Sequence, residues 1–271
     1  MAANAHGIQL VVTDLAGTTV DYGSRAPAGA FVELFRRHGV DITDAEARGP
    51  MGLQKRDHIV ALTRMPRIAD AWRDKHGSDP DETRINELYA EFIALQVDCL
   101  PDYDDVIPGV LETVEALRAR GIHVAATTGY NREMMEVVLK GAERQGFVPD
   151  AACCAEDVPY GRPAPWMIFR SMEAVGVYPP AAVLTIGDTI PDVESGRNAG
   201  TWTVGVTATG NMLGLSEAEA EALSDDELRP RLANATKALA DAGAHKVVEA
   251  FADCLECIDN FEERLANGEQ P

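Results

Sequence analysis

The stretch Val11-Val12-Thr13-Asp14-Leu15-Ala16-Gly17-Thr18-Thr19-Val20-Asp21 places a carboxylate where an apolar run ends and turn-forming residues begin. Leu10 to Val12 has the character of a buried strand, and Gly-Thr-Thr suits a tight turn after it. In an open parallel sheet ligands bind at the C-terminal strand edge, where turn N–H groups cradle anions. Asp14 therefore reads as a nucleophile or a Mg2+ ligand, with a turn-forming, helix-capping acid as the plainer alternative. The rest of the chain has to decide between them.

The second half supplies an alternation of strands and helices. Strands are expected at Ile122–Ala126, around Ala151–Cys154, at Ala182–Ile186, at Thr201–Val206 and near His245–Val248. Helices are expected at Gly109–Arg120, Arg132–Gln145, Pro165–Val175 and near Val193–Ala199. That order indicates an α/β, Rossmann-like parallel sheet with helices on both faces. The acidic segment Ser216–Glu227 reads as a solvated surface helix, and a last helix closes the chain.

Between the opening strand and about Asp104 no convincing strand is visible. Helical pieces run Pro27–His38, Lys55–Thr63, Ile68–Lys75 and Thr83–Cys99, separated by Gly39, Gly49-Pro50, Pro66 and Gly77. This reads as a helical cap of residues 23–104 inserted into a core of 1–22 and 105–271, with Pro101–Pro108 as a linker.

A chain of 271 residues buries a real core, and its net charge of −20 argues against non-specific nucleic-acid binding. Any anionic substrate needs local cations or backbone N–H groups, since the overall field repels it. No segment approaches a membrane span, and Met1–Gly7 lacks the character of a signal peptide, so a cytoplasmic protein is expected. The five cysteines are an odd number in a fairly large chain and argue against a disulfide framework. Cys254 and Cys257 fall into a helical periodicity with Val247, Val248, Phe251, Leu255, Ile258, Phe261 and Leu265, which favours core packing over a metal or redox pair.

Three further stretches fall at expected strand ends. Ala125-Ala126-Thr127-Thr128-Gly129-Tyr130 offers a hydroxyl and backbone N–H groups. Tyr160-Gly161-Arg162-Pro163 supplies a permanent cation, and Leu184-Thr185-Ile186-Gly187-Asp188-Thr189-Ile190-Pro191-Asp192 ends in acids four apart. Together they offer an acid to attack, a second to hold Mg2+, and a hydroxyl and a cation for a phosphoryl group.

This order resembles the haloacid dehalogenase superfamily over nearly the whole chain, and the helical insertion matches that family's cap position. The resemblance implies Asp14 as nucleophile and Mg2+ ligand, with the Ala16 carbonyl oxygen and Asp188 as further ligands. It implies Thr128 and Gly129 as phosphoryl-binding, Arg162 as the cationic position, and Asp192 and Thr189 as metal-supporting. One departure matters. Ordinary phosphatases of the superfamily carry a general acid two residues after the nucleophile, whereas here that position is Ala16. An alkyl phosphate would then lack a proton donor for its leaving oxygen.

Met51-Gly52-Leu53-Gln54-Lys55-Arg56-Asp57-His58 sets Lys55 and His58 three apart on one helical face. A lysine whose pKa is lowered can form a Schiff base, and the protonated imine accepts the electron pair of a breaking β C–P bond. A helical lysine is otherwise an ordinary solvated residue. With the Gly-Arg-Pro-Ala-Pro-Trp and Asp-Leu-Ala-Gly-Thr-Thr-Val-Asp-Tyr-Gly segments, the chain is similar to the phosphonoacetaldehyde hydrolase (phosphonatase) family. That resemblance implies cleavage of a small phosphonate to acetaldehyde and phosphate, in 2-aminoethylphosphonate degradation. It places Lys55 as the Schiff-base lysine, with Met51, His58 and Tyr130 lining the site, and it implies a homodimer through the cap. Phe31, Leu34 and Phe35 suit either that partner surface or the core. Some relatives carry Cys where Ser24 stands, so Ser24 is given no necessary role. Two rival readings stand beside it: another Mg2+-dependent phosphatase or phosphoryl transferase of the superfamily, and a non-catalytic phosphate-ligand-binding regulator.

Overall fold

The computed structural model describes residues 7–271, so the reading of Met1–His6 lies outside the described residues. Six strands, β1 (Leu10–Asp14), β2 (His123–Thr128), β3 (Ala151–Cys154), β4 (Val183–Gly187), β5 (Trp202–Val206) and β6 (Lys246–Val248), pair in parallel in the order β3-β2-β1-β4-β5-β6. Val12 of β1 lies opposite Ala125 on one side and Thr185 on the other. The chain works outward from β1 to β3, then returns to β4 on the opposite flank. The order therefore reverses at β1, and a crevice opens beyond its C-terminal end.

Strand residues alternate between two buried faces, as a doubly covered parallel sheet requires. Val11, Val124, Leu184 and Val204 join the larger apolar cluster, while Leu10, Val12, Ala125 and Val183 pack with Ile168, Met172 and Ala199 on the other face. Between β1 and β2 come α1 (Arg25–Arg37), α2 (Asp44–Arg48), α3 (Lys55–Thr63), α4 (Pro66–His76) and α5 (Glu82–Cys99). Around the sheet lie α6 (Val110–Ala119), α7 (Arg132–Gln145), α8 (Trp166–Val175), α9 (Ile190–Ala199), α10 (Glu217–Ala222), α11 (Asp225–Asp241) and α12 (Cys254–Ala266).

Helix α1 begins where Asp21, not Ser24, satisfies its free N–H groups. The Asp21 carboxylate accepts from Arg25 N at 2.9 Å and Ala26 N at 3.0 Å. Ser24 occupies the N-cap position with left-handed backbone and makes no side-chain cap bond. Phe31, Leu34 and Phe35 of α1 are fully buried, with Phe31 stacked 4.2 Å from Phe92. They pack the core and supply no partner surface.

Three sequence expectations need correction. Helix α2 was not anticipated, being too short for a periodic pattern, although Thr43 and Glu46 form a capping box around it. The acidic Ser216–Glu227 segment is not one helix. Leu223 and Ser224 divide it, Ser216 caps α10, Ser224 caps α11, and α11 continues to Asp241 with Pro230 inside it. Val247 and Val248 lie in β6, so the helical pattern begins only after them; Cys254 and Cys257 are buried against the core as expected. All five cysteines are unpaired, and among the described residues no helix is long and apolar enough to cross a membrane.

Candidate active site

Asp14 ends β1, Thr128 ends β2, and Asp188 follows β4, so the sheet brings all three to one edge. Thr189 caps α9 through its side chain, which accepts from Asp192 N at 3.4 Å and also bonds the Asp192 carboxylate. The spacing of four thus becomes a strand end and the first turn of a helix facing each other. Carboxylate oxygens of Asp14, Asp188 and Asp192, all buried, lie within 4.8 Å of one another.

Arg162 spans this group. Its Nη2 lies 2.7 Å from Asp14 Oδ1 and donates to Thr127 Oγ1 at 2.8 Å, while Nη1 lies 2.6 Å from Asp192 Oδ1. Asp188 is held instead by Thr18 Oγ1 at 3.2 Å and by the N–H of Asn211 at 2.7 Å. One guanidinium among three carboxylates leaves negative charge uncompensated. Burial, with Asp14 beside it, pushes the Asp188 carboxyl well above the usual carboxylate range; burial also raises Asp192, against the pull of Arg162. Clustered hard oxygen donors with surplus negative charge fit a divalent cation such as Mg2+. Ala16, half-buried in the turn after Asp14, brings no acid to this cluster.

Across the crevice the loop leading into α3 presses onto the strand ends. Gly52 has φ +92°, and a Cβ there would fall 2.2 Å from Thr189 Oγ1. A Cβ on Gly129 would fall 2.8 Å from the Leu53 carbonyl oxygen. Both close approaches need glycine, and they let the loop sit down over the carboxylates. Thr128 Oγ1 accepts from Tyr130 N at 3.1 Å, which fixes the turn that presents Gly129.

Lys55 opens α3 and is only 5% exposed. Its Nζ lies 3.8 Å from Met51 Sδ, 5.1 Å from the Tyr130 ring centroid and 5.9 Å from that of Phe31. Burial lowers its pKa to about 8, with Asp14 pulling the other way and Arg162 adding to the fall. His58, one turn on, stacks on Phe31 at 3.8 Å and its Nε2 sits 2.8 Å from the Ala47 carbonyl oxygen. A carbonyl only accepts, so Nε2 carries the proton and the buried Nδ1 keeps a bare lone pair without a partner among the described residues. Burial and the nearby lysine push His58 well below the usual histidine range. The Tyr130 hydroxyl is likewise buried without a partner among the described residues.

The structure thus assembles Asp14, Thr128, Gly129, Arg162, Asp188, Thr189 and Asp192 at the sheet edge, and Met51, Lys55, His58 and Tyr130 around a closed apolar lining. Sequence reasoning passed over Thr18, Thr127, Phe31 and Asn211. Thr18 and Thr127 stood inside the motifs already singled out. Asn211 had a signal of its own, because Thr207-Ala208-Thr209-Gly210-Asn211 follows β5 at the same sheet edge.

Comparison with known proteins agrees with this architecture. The family model for haloacid dehalogenase-like hydrolases matches residues 8–200, and a second, HAD-hydrolase-like model matches residues 159–242. A phosphonoacetaldehyde hydrolase of Paraburkholderia xenovorans is 46% identical over 264 residues, covering 97% of this chain and 99% of the relative. One from Bacillus cereus is 45% identical over 257 residues, covering 95% and 97%. The crystal structure of a phosphonoacetaldehyde hydrolase-like protein from Oleispira antarctica superposes with a TM-score of 0.96 at 39% identity, covering 100% of this chain and 99% of that one. At 15% identity, a β-phosphoglucomutase from Clostridium difficile (TM-score 0.69, covering 96% and 99%) shares the fold.

Proposed function

The chain belongs to the phosphonoacetaldehyde hydrolase family of haloacid dehalogenase-like hydrolases, and from that premise we propose that it hydrolyses the C–P bond of phosphonoacetaldehyde to acetaldehyde and phosphate. The observation that carries the reading is Lys55, a buried amine with a lowered pKa facing an aspartate cluster that has Ala16 where a general acid would stand.

In this proposal the phosphonate dianion rests against Arg162, Thr128 and the N–H groups of the turn at Gly129, which answer its charge in an acidic protein. Lys55 attacks the aldehyde carbon and, with loss of water, forms an imine. His58, neutral and with Nδ1 free, takes or returns the protons of that exchange. An Asp14 carboxylate oxygen then attacks phosphorus as the C–P bond breaks. The bonding pair moves to carbon and is delocalised onto the iminium nitrogen as an enamine. Protonation at carbon and hydrolysis of the imine release acetaldehyde and free Lys55. A second water cleaves the aspartyl phosphate, so one water is consumed overall. Mg2+, held by Asp14, Asp188 and the Ala16 carbonyl oxygen with Asp192 and Thr189 in support, would supply charge neutralisation for the phosphonate.

Residues 23–104 act in this reading as the cap that excludes water. A cytoplasmic setting fits five unpaired cysteines. A homodimer through the cap is part of the proposal, and its interface would use residues other than the buried Phe31, Leu34 and Phe35.

The test is release of acetaldehyde and phosphate from phosphonoacetaldehyde with Mg2+, comparing the wild type with Lys55→Ala. Equal yields of both products, lost in the variant, are expected. Activity that survives Lys55→Ala, or turnover of phosphate esters in its place, would return the chain to an ordinary phosphatase.

A further inference from the structure

Arg48 ends α2, three residues before Met51 and seven before Lys55, and its side chain reaches out of the helical layer. Nη1 donates to the Gly23 carbonyl at 2.8 Å, the Ser24 carbonyl at 3.2 Å and Asn211 Oδ1 at 3.3 Å. Nη2 donates to the Gly214 carbonyl at 3.2 Å, and Nε is held by Asp44 Oδ2 at 2.6 Å. A planar fork of five donors spans these partners; a lysine ammonium does not. The guanidinium thereby ties α2 both to the segment entering α1 and to the loop after β5.

Asn211 answers from the core. Its Nδ2 donates to the Arg48 carbonyl oxygen at 3.3 Å, so the two residues grip each other by side chain and backbone. That same carbonyl accepts from Met51 N at 3.1 Å, and it is where the loop carrying Met51 and Lys55 starts. The backbone N–H of Asn211 donates to Asp188 Oδ2 at 2.7 Å. A continuous chain of hydrogen bonds therefore runs from the carboxylate cluster to the root of the lysine loop. Neither the lysine chemistry nor the phosphoryl chemistry uses it.

We infer that Arg48 and Asn211 form a latch that holds the Met51–Lys55 loop closed over the carboxylates, as a positioning pair for Lys55. The assignment rests on the proposed function only in its activity readout. Opening the cap has to break the bonds of Arg48 to Asn211 and Gly214 together, and closing it re-forms them only when the lysine loop is in register with the sheet edge.

The test compares the wild type with Arg48→Met, Asn211→Ala and the double variant. Asn211→Ala removes the grip on Arg48 but keeps the N–H that holds Asp188. The first readout needs no turnover: reductive methylation of Lys55 at one fixed pH, measured by peptide mass spectrometry against exposed Lys237. Each single variant is expected to raise the Lys55 rate about fivefold or more, and the double variant to exceed either single by less than the product of the two effects, since the contact between the two side chains is lost in both. The second readout is kinetic. A reduced closed population raises KM for phosphonoacetaldehyde about tenfold while kcat moves by less than about threefold. Asn211→Asp, which still accepts from Arg48, is expected to recover part of both effects. Unchanged Lys55 labelling in the singles, or additive effects in the double, overturns the latch. If Arg48→Met does not fold, Asn211→Ala and Asn211→Asp decide it. A wild type that leaves phosphonoacetaldehyde intact sinks the functional reading, while the labelling still decides the latch.

Discussion

At the sheet edge Arg162 keeps its full charge between Asp14 at 2.7 Å and Asp192 at 2.6 Å, whereas across the crevice Lys55 meets a thioether at 3.8 Å and an aromatic ring at 5.1 Å. Both cations are buried, and their surroundings send them in opposite directions. Burial works against Arg162, yet its two carboxylates hold its pKa above the usual arginine value; burial brings Lys55 down to about 8. In the proposed function the first region would answer the charge of a dianion, and the second would favour the neutral amine that attacks carbon. The site is two electrostatic environments pressed together at Gly52 and Gly129.

The largest effect separates the two sides outright. Asp14→Asn is expected to lower C–P cleavage by about 10^4-fold or more, yet to leave Lys55 able to condense with the aldehyde. Borohydride added with phosphonoacetaldehyde should therefore trap the substrate on Lys55 in this variant. Failure to trap would mean that the amine depends on Asp14 for more than proximity, and the division between the two sides would break down.

Next comes the proton on Lys55. With a pKa of about 8, about 10% of the amine is free at pH 7, against about 0.03% at the ordinary value. Because burial penalises the ammonium, the reactive form gains as pH rises. The rate constant kcat/KM should climb about tenfold per pH unit below about pH 8 and level off above it. Lys55→Met should remove that limb along with about 10^3-fold or more of the activity. A limb that turns near pH 10 would show that the lysine is solvated in solution, and the contrast with Arg162 would vanish.

Much of the sheet edge could be read in the sequence because strand, turn and acid are local signals. Asp14, Thr128, Arg162 and Asp188 each stand where an apolar run meets turn residues or a helix start. The Lys55 environment could not be read that way. Its lowered pKa comes from burial beside Phe31 and Tyr130, which are far from it in sequence, and no period or spacing links α1, α3 and the turn after β2. The resemblance to a family pointed to Lys55; the packing adds the burial that lowers its pKa. Helix α2 and the break at Leu223–Ser224 were missed for another cause. Their capping boxes were present in the sequence, but apolar periodicity, the stronger signal over long segments, is silent in pieces of five or six residues.

A smaller effect probes the seam. Gly129→Ala would place a Cβ 2.8 Å from the Leu53 carbonyl oxygen, a backbone atom that cannot swing aside. The lysine loop must lift by several tenths of an ångström, and positioning losses on that scale are expected to cost about tenfold in kcat/KM. Phosphate binding at the sheet edge should fall by less than kcat/KM, because the substitution keeps the backbone N–H of residue 129 and its clash falls on the loop above. A variant that lost both equally would show the seam and the edge to be one rigid unit.

The smallest effect tests whether an unpartnered group is there for a purpose. The Tyr130 hydroxyl is buried with no hydrogen-bond partner among the described residues, while the ring beneath it packs 5.1 Å from Lys55 Nζ. An unsatisfied buried hydroxyl costs about 1 kcal/mol or more, so Tyr130→Phe should raise stability by about that amount. For a chain of this size the corresponding rise in melting temperature is about 2–4 °C. If the hydroxyl finds its partner in bound substrate, the gain comes with a KM about three- to tenfold higher, equivalent to one ordinary hydrogen bond. The apolar region would then carry a single polar contact that is met only when the site is filled. Higher stability with KM unchanged would leave Tyr130 as a wall for Lys55, and the contrast with the polar sheet edge would be complete.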